Sequence, residues 1–428
     1  MRNKYLILIL SFNFILRLFF LFSSNFFEGD DGGRYLIEGL NLFEFGVFSS
    51  EDSLAPNPTS HDLPGYPFLI YLLLKSSISL FQLPYVLGII NLIFLTLSLY
   101  LVFSITKSFT SNKIAPILSV IILSLHPNLF VYTNFHMPDI IFISLTLLMV
   151  YFYLRWLRLS GKINLLLVFL FWGLSVLFKP ISIFLGLIIF VLSLIIKSSS
   201  KVIIIASFLL GCLLLLPWSI RNKIEFDSYS LSSITGINLF FYNYKYLLEY
   251  QNEKNIDERL KIESERIITN QSPINRMEAS KLLSNFAAKE ITSNFTDYIK
   301  TSISRQSKMY LRTSSISFFR ITGDKLSVDT LNFFNSDISL NNFKKLTLSS
   351  RIYLTITLLF IVFFYFSSLV GLKALLFEKE YLLLSTSLFF ILYYMILIGP
   401  LNDARYSLPM LPFISILSAF GINNLLKK

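Results

Sequence analysis

The chain has 428 residues, of which 54% are hydrophobic, 16% are aromatic and only 15% are charged. Soluble domains carry about 25% charged residues, so this chain lacks the polar surface to cover itself in water and must use lipid as its solvent. The net charge of +11 does not indicate nucleic-acid binding, because the lysines and arginines lie between apolar segments instead of forming one basic face. One cysteine, Cys212, excludes a disulfide framework, and three histidines argue against a histidine-rich metal site.

Apolar segments long enough to cross a bilayer run along the chain. A spanning helix needs about 20 mostly apolar residues, and the candidate spans are 5–22, 84–106, 114–132, 139–158, 163–178, 181–196, 201–218, 351–372, 381–399 and 406–425. No small-residue cleavage pattern follows the first span, so we predict that it is not a signal peptide. Segment 66–81 is short, contains Lys75 and is interrupted by serines, which predicts a helix at the membrane interface. The predicted fold class is an all-α polytopic membrane protein with about ten transmembrane helices.

Basic residues in the short loops predict the orientation of these spans. Arg2 and Lys4 place the N-terminus inside, and with ten spans the other inside segments are 107–113, 155–162, 197–201, 373–379 and the terminal Lys427 and Lys428. Each of them carries lysine or arginine, as the rule expects, provided that segment 66–81 does not cross. The outside segments are then 23–83, 133–138, 179–180, 219–350 and 400–405.

The two large outside segments divide the chain. Residues 1–218 are predicted to form an N-terminal transmembrane catalytic module that includes the outer first loop, 23–83. Residues 219–350 are predicted to form an external region with interface helices, and 351–428 the C-terminal transmembrane helices.

Most of the unusual polar residues map to the outer face or to the outer ends of spans. They are Asp30, Asp31, His61, Asp62, His136, Asp139, Arg221, Asp403 and Arg405. Ionisable groups at membrane depth are costly and usually face a cavity or a partner. A carboxylate can remove a proton from an acceptor hydroxyl or amine, and arginine or lysine can hold a phosphate leaving group. The set therefore suits a reaction between a polar acceptor and a lipid-linked anionic donor.

Each of these residues also has a purely structural explanation, which the sequence leaves open. The pairs Asp30–Asp31 and His61–Asp62 suit turns or a helix start. Asp139 follows a proline at the start of an apolar segment, where it suits a helix dipole. Arg221 suits an ordinary interfacial belt of aromatic and basic residues. Arg17 lies inside the first span, where it either extends towards the interface or faces a cavity.

Seven short motifs follow one another along nearly the whole chain. They are Asp31-Gly-Gly-Arg-Tyr35, His61-Asp62-Leu-Pro64-Gly-Tyr66-Pro67, Pro138-Asp139, Lys179-Pro180, Pro217-Trp218-Ser-Ile-Arg221-Asn222, Thr235-Gly236-Ile-Asn238-Leu239 and Asp403-Ala-Arg405-Tyr406. In this order and topology they resemble the GT-C superfamily of membrane glycosyltransferases. The resemblance is to the bacterial branch related to protein O-mannosyltransferases and lipid A aminoarabinose transferases.

The resemblance implies an inverting transfer of a sugar from a polyprenyl-phosphate donor to a lipid, glycan or protein acceptor. It implies that Asp31 is the general base, with Asp30 and Asp139 as further catalytic candidates. Asp139 matches a position that in relatives shapes the site or binds a divalent metal, and Asp62 is the second candidate metal ligand. The expected substrate-binding residues are Tyr35, His61, Asp62, Lys179, Arg221 and Arg405.

The sequence also departs from the family pattern at two of these motifs. Many relatives carry Asp-Glu in the first loop, where this chain has Asp-Asp, and Glu or Lys before the prolines, where His61 and Asp62 stand. These departures leave the divalent metal and the acceptor open. The frequent Phe, Ile, Asn and Lys residues indicate an AT-rich, bacterial genome. The expected location is therefore the bacterial inner membrane, with the active site on its outer, periplasmic side.

Three other functions compete with the glycosyltransferase. A transporter or flippase of lipid-linked sugars should show repeats or polar groups near the midplane, and neither is evident. An O-antigen ligase-like protein or glycan polymerase would be expected to use arginines and a histidine in its external loops, and 219–350 contains no histidine. A membrane scaffold would explain the hydrophobicity but not the one-sided ionisable residues.

Overall fold

The computed structural model describes residues 2–24, 29–110, 112–196, 201–269, 275–334 and 343–426. Every regular element within these residues is helical, which confirms the predicted all-α membrane fold. The N-terminal helices are α1 Arg2–Ser23, α2 Gly29–Glu44, α3 Gly65–Lys75, α4 Leu83–Ser108, α5 Ala115–Leu125, α6 Pro127–Tyr132, α7 Asp139–Leu159, α8 Lys162–Phe178, α9 Ile183–Ile196 and α10 Lys201–Phe226. Residues 197–200 and 427–428, which belong to two predicted inside segments, lie outside the described residues.

The remaining helices form the external region and the C-terminal spans. They are α11 Ile234–Asn238, α12 Lys245–Tyr250, α13 Ile256–Thr269, α14 Arg276–Ser293, α15 Phe295–Leu311, α16 Ser315–Thr322, α17 Lys325–Phe334, α18 Leu348–Phe377, α19 Tyr381–Ile398 and α20 Leu411–Leu426. Short turns of 3-10 helix occupy Pro180–Ser182 and Ala404–Met410, and a π-helical turn occupies Leu239–Tyr244.

All ten predicted spans coincide with helices, but their lengths differ. Seven helical segments are long and apolar enough to cross a membrane by themselves: Lys4–Ser23, Leu83–Ser108, Asp139–Leu159, Lys201–Phe226, Leu348–Phe377, Tyr381–Ile398 and Ala404–Leu426. Predicted spans 163–178 and 181–196 form shorter apolar helices, and 114–132 is broken into α5 and α6. The first-loop helix α3 has 11 residues. Its length of about 16 Å is well short of the hydrocarbon core.

The break between α5 and α6 is stabilised by a charge buried in α1. Pro127 has no N–H group, so it ends one helix and starts the next and leaves carbonyl groups without helical partners. Arg17 is 1% exposed and donates to the Ser124 carbonyl at 2.8 Å, the Leu129 carbonyl at 3.4 Å and the Thr133 hydroxyl at 3.1 Å. Arg17 therefore satisfies the broken helix, and neither of the two explanations drawn from the sequence describes it.

Small residues let the C-terminal helices α18 and α20 approach closely. A Cβ atom on Gly371 would lie 1.8 Å from the Leu417 carbonyl oxygen, and one on Gly421 would lie 1.8 Å from the Ser367 carbonyl oxygen. The hydroxyl groups of Ser367 and Ser418 are 2.6 Å apart. Membrane helices commonly associate through small residues and interhelical hydrogen bonds of this kind. This packing fixes α20 and the 3-10 turn that precedes it.

The external region has its own hydrophobic cluster and is tied to the first loop. Buried side chains from α12 to α14 and the π-helical turn form the cluster: Phe240, Tyr244, Leu247, Leu248, Leu260, Leu283, Ala287 and Ile291. The amide of Ser233 donates to the Ser60 carbonyl at 2.8 Å, which links this region to the first loop. Gln306 of α15 donates to the Met395 and Gly399 carbonyls at 2.7 and 2.6 Å. The external region therefore packs against both the first loop and the end of α19.

The role of Arg17 predicts a loss of stability when its donors are removed. Arg17→Leu should lower the free energy of unfolding by about 1.5–3 kcal/mol, the range for hydrogen bonds from a charged donor. Arg17→Lys should recover part of the loss, and Lys4→Leu, at an exposed position of the same helix, should have little effect. Thermal unfolding of the purified protein in detergent measures the difference. Equal stability of Arg17→Leu and the wild type would contradict this role.

Candidate active site

Six ionisable side chains from separate parts of the sequence form one continuous chain of ion pairs. In spatial order they are Asp62, Arg34, Asp31, Arg405, Asp139 and Lys179. Carboxylates and cations alternate along this ion-pair chain, so its three negative and three positive charges balance. It joins the first loop, the start of α7, the end of α8 and the 3-10 turn before α20.

The two arginines each bridge a pair of carboxylates. Arg34 Nη2 lies 2.9 Å from Asp31 Oδ1 and 3.3 Å from Asp62 Oδ1, and its Nε pairs with the second Asp62 oxygen. Arg405 Nε lies 2.9 Å from Asp139 Oδ2, and its Nη1 pairs with Asp31 Oδ2. Lys179 Nζ pairs with Asp139 Oδ1 at the end of the ion-pair chain. Every carboxylate oxygen in the chain therefore has a cationic partner.

Accessibility distinguishes the three carboxylates of the ion-pair chain. The side chain of Asp31 is 34% exposed, whereas those of Asp62 and Asp139 are each 2% exposed. A solute can therefore reach the carboxylate of Asp31 but not those of the other two. Arg405 and Lys179 are 12% and 17% exposed, so both cations keep some surface available to a ligand.

Close backbone packing brings the first loop to the other parts of the site. A Cβ atom on Gly65 would lie 2.6 Å from the Leu177 carbonyl oxygen, so only glycine allows the start of α3 to contact the end of α8. A Cβ on Gly39 would lie 2.5 Å from Ile70 Cγ2, so α2 lies directly against α3. Tyr35 packs edge-on to Tyr66 with ring centroids 5.7 Å apart. These contacts hold α2 and α3 together beside Lys179.

A second aspartate positions the turn that presents Arg405. Asp403 caps the 3-10 turn Ala404–Met410 and accepts a hydrogen bond from the Arg405 amide at 2.8 Å. The Tyr132 hydroxyl donates to the same Asp403 oxygen at 3.0 Å. Asp403 therefore fixes the backbone of Arg405 and has no ion pair among the described residues.

The cations control the protonation of Asp31. Partial burial acts to raise the pKa of Asp31, but the charges and hydrogen bonds of Arg405 and Arg34 outweigh it and lower the pKa to about 2. A lowered pKa means that these pairs contribute stability above the ordinary aspartate pKa and lose it only as the pH falls towards 2. Asp31 is therefore a carboxylate throughout the physiological range.

Glu38 is a buried acidic residue that the sequence interpretation missed. It is 0% exposed, and neither of its carboxyl oxygens has a hydrogen-bond partner within the described residues. Burial raises the pKa of Glu38 well above its usual value, and the charge of nearby Asp62 raises it further, against a lowering by Arg34 and Arg276. Asp31, Arg34 and Glu38 are spaced three and four residues apart on α2, the spacing that places side chains on one helix face. That spacing was the available signal.

The other predicted site residues lie near the ion-pair chain but make different contacts. Tyr35 is buried, and its ring centroid lies 5.7 Å from the Arg34 guanidinium carbon. His61 Nδ1 lies 3.1 Å from Arg276 Nη2 of the external region, and burial lowers the pKa of His61 to about 4. Arg221 donates to the Thr59 carbonyl at 2.8 Å and the Phe48 carbonyl at 3.3 Å, so it binds the first-loop backbone. The side chain of Asp30 lies outside the described residues.

The carboxylates do not form a donor set that fits a divalent metal. Among the described residues, no group of three or more His, Cys, Asp or Glu side chains lies close enough to hold a metal ion. Both oxygens of Asp139 pair with Lys179 and Arg405, and both oxygens of Asp62 pair with Arg34. The positions predicted as metal ligands are therefore held by side-chain cations.

Comparisons with known proteins give one family match and several similar structures. Residues 65–220 match the family model described as dolichyl-phosphate-mannose-protein mannosyltransferase. Among curated proteins, no sequence matches this chain significantly. The fold is similar to that of the archaeal oligosaccharyltransferase AglB from Archaeoglobus fulgidus, solved with an inhibitory peptide and a dolichol-phosphate. The TM-score is 0.53 and the identity 14%, over 100% of this chain and 50% of that one.

Two structures of ArnT from Cupriavidus metallidurans are also similar. The apo structure has a TM-score of 0.41 and 12% identity, and the structure bound to undecaprenyl phosphate has a TM-score of 0.42 and 11% identity. Each covers 99% of this chain and 78% of the ArnT chain. The present chain spans about half the length of AglB.

The buried position of Glu38 predicts an unusual dependence of stability on pH. A carboxyl group whose pKa is raised by folding destabilises the fold progressively as the pH rises from the ordinary glutamate value of 4.5 towards the raised value. Glu38→Gln, which stays neutral, should therefore gain thermal stability relative to the wild type between pH 5 and pH 8. Thermal unfolding at both pH values measures the gain, with Glu44→Gln at an exposed position of the same helix as the control. A difference that is the same at both pH values would show that Glu38 is not held neutral.

Proposed function

Because the chain belongs to the GT-C superfamily of membrane glycosyltransferases, we propose that it transfers a sugar from a polyprenyl-phosphate donor. The acceptor is a hydroxyl or amine group of a lipid, glycan or protein. One observation carries the proposal: the accessible carboxylate of Asp31 shares Arg405 with Asp139, whose other oxygen pairs with Lys179. A base and two phosphate-binding cations thus lie within one network.

The proposed reaction is a single displacement at the anomeric carbon of the sugar. The acceptor oxygen or nitrogen forms a bond to that carbon, and the bond from the carbon to the donor phosphate oxygen breaks. The acceptor proton passes to Asp31, which acts as a general base. Polyprenyl phosphate leaves with one more negative charge, which Arg405 and Lys179 offset. Attack from the side opposite the phosphate inverts the anomeric configuration.

A carboxylate with a pKa of about 2 is a weak base, and this suggests a role for the donor. Arg405 is shared between Asp31 and Asp139, so a phosphate group that takes hydrogen bonds from Arg405 competes directly with Asp31. Loss of that partner raises the pKa of Asp31 towards its ordinary value, since one pKa unit corresponds to about 1.4 kcal/mol of lost interaction. Donor binding would therefore strengthen the base before the acceptor is deprotonated.

The cations of the site suit phosphate recognition in different ways. The planar guanidinium of Arg405 can make two parallel hydrogen bonds to a phosphate, while Lys179 supplies a compact charge. The metal-ligand prediction for Asp139 and Asp62 has no step in this mechanism, because Arg34, Arg405 and Lys179 already pair with those carboxylates. In the proposed reaction, the charge that a divalent metal would supply comes from the side chains.

The proposed location of the reaction is the outer, periplasmic side of a bacterial inner membrane. Helix α7 begins at Asp139 in the ion-pair chain and has Arg155 and Arg158 in its last turns. Its 21 residues are about 31 Å long, enough to cross the hydrocarbon core. Lysine and arginine favour the inside, so the opposite end of α7, with the ion-pair chain, faces outward. The bacterial assignment rests on amino-acid usage.

The two alternative functions differ from this one in where their chemistry would lie. A flippase would need polar groups near the midplane, whereas the ion-pair chain lies at the ends of α7 and α8. An O-antigen ligase-like or polymerase-like protein would use arginine and histidine, which here are Arg276 and His61. That pair has no accessible carboxylate between its members, whereas Asp31 is both accessible and next to Arg405.

The activity depends on the carboxylate of Asp31, and complementation of a strain that lacks the protein tests this for any sugar. Asp31→Asn keeps the shape but removes the base, so transfer should fall by about 10²–10⁴-fold while membrane insertion persists. Mass spectrometry of surface glycans and lipid-linked sugars should then show a missing sugar and an accumulated donor. Asp52→Asn, at an exposed position of the same loop, should restore both.

Two outcomes would contradict the proposal. Normal glycans with Asp31→Asn, produced at wild-type protein levels, would exclude Asp31 as the base. Loss of the glycan with His61→Ala but not with Asp31→Asn would favour the ligase-like alternative.

A further inference from the structure

A second cationic cluster lies at the opposite end of the helices that carry the active site. Lys107 lies in the last turn of α4, and Arg155 and Arg158 lie near the end of α7. Arg158 is 19 residues after Asp139 on the same helix, which separates the two sites by about 28 Å at 1.5 Å per residue. Sugar transfer at the ion-pair chain gives this cluster no role.

The cluster borders a cavity of about 750 Å³ between α1, α4 and α7. Apolar side chains that include Leu6 and Leu10 of α1 and Phe103 of α4 line most of it, and the three cations lie at its rim. A cavity of this size holds a drug-sized molecule or part of a lipid chain. Its lining therefore suits a ligand with a long apolar part and an anionic end.

The cations of this cluster have no acidic partner among the described residues. Arg158 donates to the Ser108 carbonyl at 2.6 Å, and its guanidinium lies 4.0 Å from the Phe109 ring centroid. Arg155 donates to the Tyr151 hydroxyl at 3.4 Å. A guanidinium has five N–H donors, so both arginines keep donors for a phosphate. The cluster therefore carries three positive charges that no carboxylate within the described ranges neutralises.

We propose that this cavity binds one anionic glycerophospholipid of the inner leaflet. Arg155, Arg158 and Lys107 hold its phosphate, and an acyl chain lies against Leu6, Leu10 and Phe103. Basic pockets between membrane helices on the cytoplasmic side suit anionic headgroups in this way. The lipid would touch three helices, one of which carries Asp139 at its other end, and so would stabilise their arrangement in proportion to its occupancy.

Thermal unfolding in detergent, with added lipid, tests the site without any assay of sugar transfer. Phosphatidylglycerol should raise the Tm of the wild type in a saturable manner, and phosphatidylcholine of the same chains should not. The triple variant Lys107→Gln, Arg155→Gln, Arg158→Gln should need at least about tenfold more phosphatidylglycerol for the same rise, because each basic side chain strengthens anionic-lipid binding. Mass spectrometry of the intact protein should show one retained phosphatidylglycerol for the wild type.

Two further variants separate a discrete site from general attraction to a charged surface. Lys254→Gln, Lys281→Gln, Lys289→Gln removes the same charge from exposed positions of the external region, and it should leave the lipid response unchanged. Ser104→Phe fills the cavity and keeps all three cations, so it should also abolish the saturable response. This variant keeps the proposal testable if the triple variant does not fold.

Three results would overturn the proposal. They are equal responses to phosphatidylglycerol and phosphatidylcholine, an unchanged response in both cavity variants, and retention of added undecaprenyl phosphate in place of phosphatidylglycerol.

Discussion

The site depends on the guanidinium of Arg405, which pairs at once with Asp31 of the first loop and Asp139 of α7. These residues are far apart in the sequence, and Asp139 is almost completely buried. An unpaired charge at such a position costs several kcal/mol, so the side chains must meet in the folded protein. The turn capped by Asp403, the close contact of α18 with α20, and the packing of α3 against α8 all serve to bring the charges of this network together.

The same arrangement accounts for both specificity and control in the proposed reaction. A network of three carboxylates and three cations is neutral without the donor, and a phosphate adds negative charge that must displace a carboxylate from Arg405 or Lys179. Asp31 is the carboxylate best placed to be displaced, because it is the most exposed of the three. Release of Asp31 would produce a stronger base only when the donor is bound, which couples the two substrates through one arginine.

Much of the architecture was predictable from the sequence, because ten apolar segments and the basic loops between them report the preference of each residue for lipid or water. The gathering of Asp31, Asp62, Asp139, Lys179 and Arg405 followed partly from topology and partly from the family resemblance. Their pairing did not, since no feature of the first-loop motif indicates that Arg34 bridges two of the aspartates. The buried Glu38 and the role of Arg17 depend on which helix faces which, and a single sequence does not contain that information.

The most direct test of the account is a structure of the protein with a non-transferable polyprenyl-phosphate sugar analogue bound. The account predicts phosphate oxygens at about 3 Å from Arg405 and Lys179, ordinary hydrogen-bond distances, with Arg405 no longer paired with Asp31. It also predicts that the anomeric carbon faces the freed carboxylate. A phosphate bound away from both cations, with Arg405 still bridging Asp31 and Asp139, would contradict it.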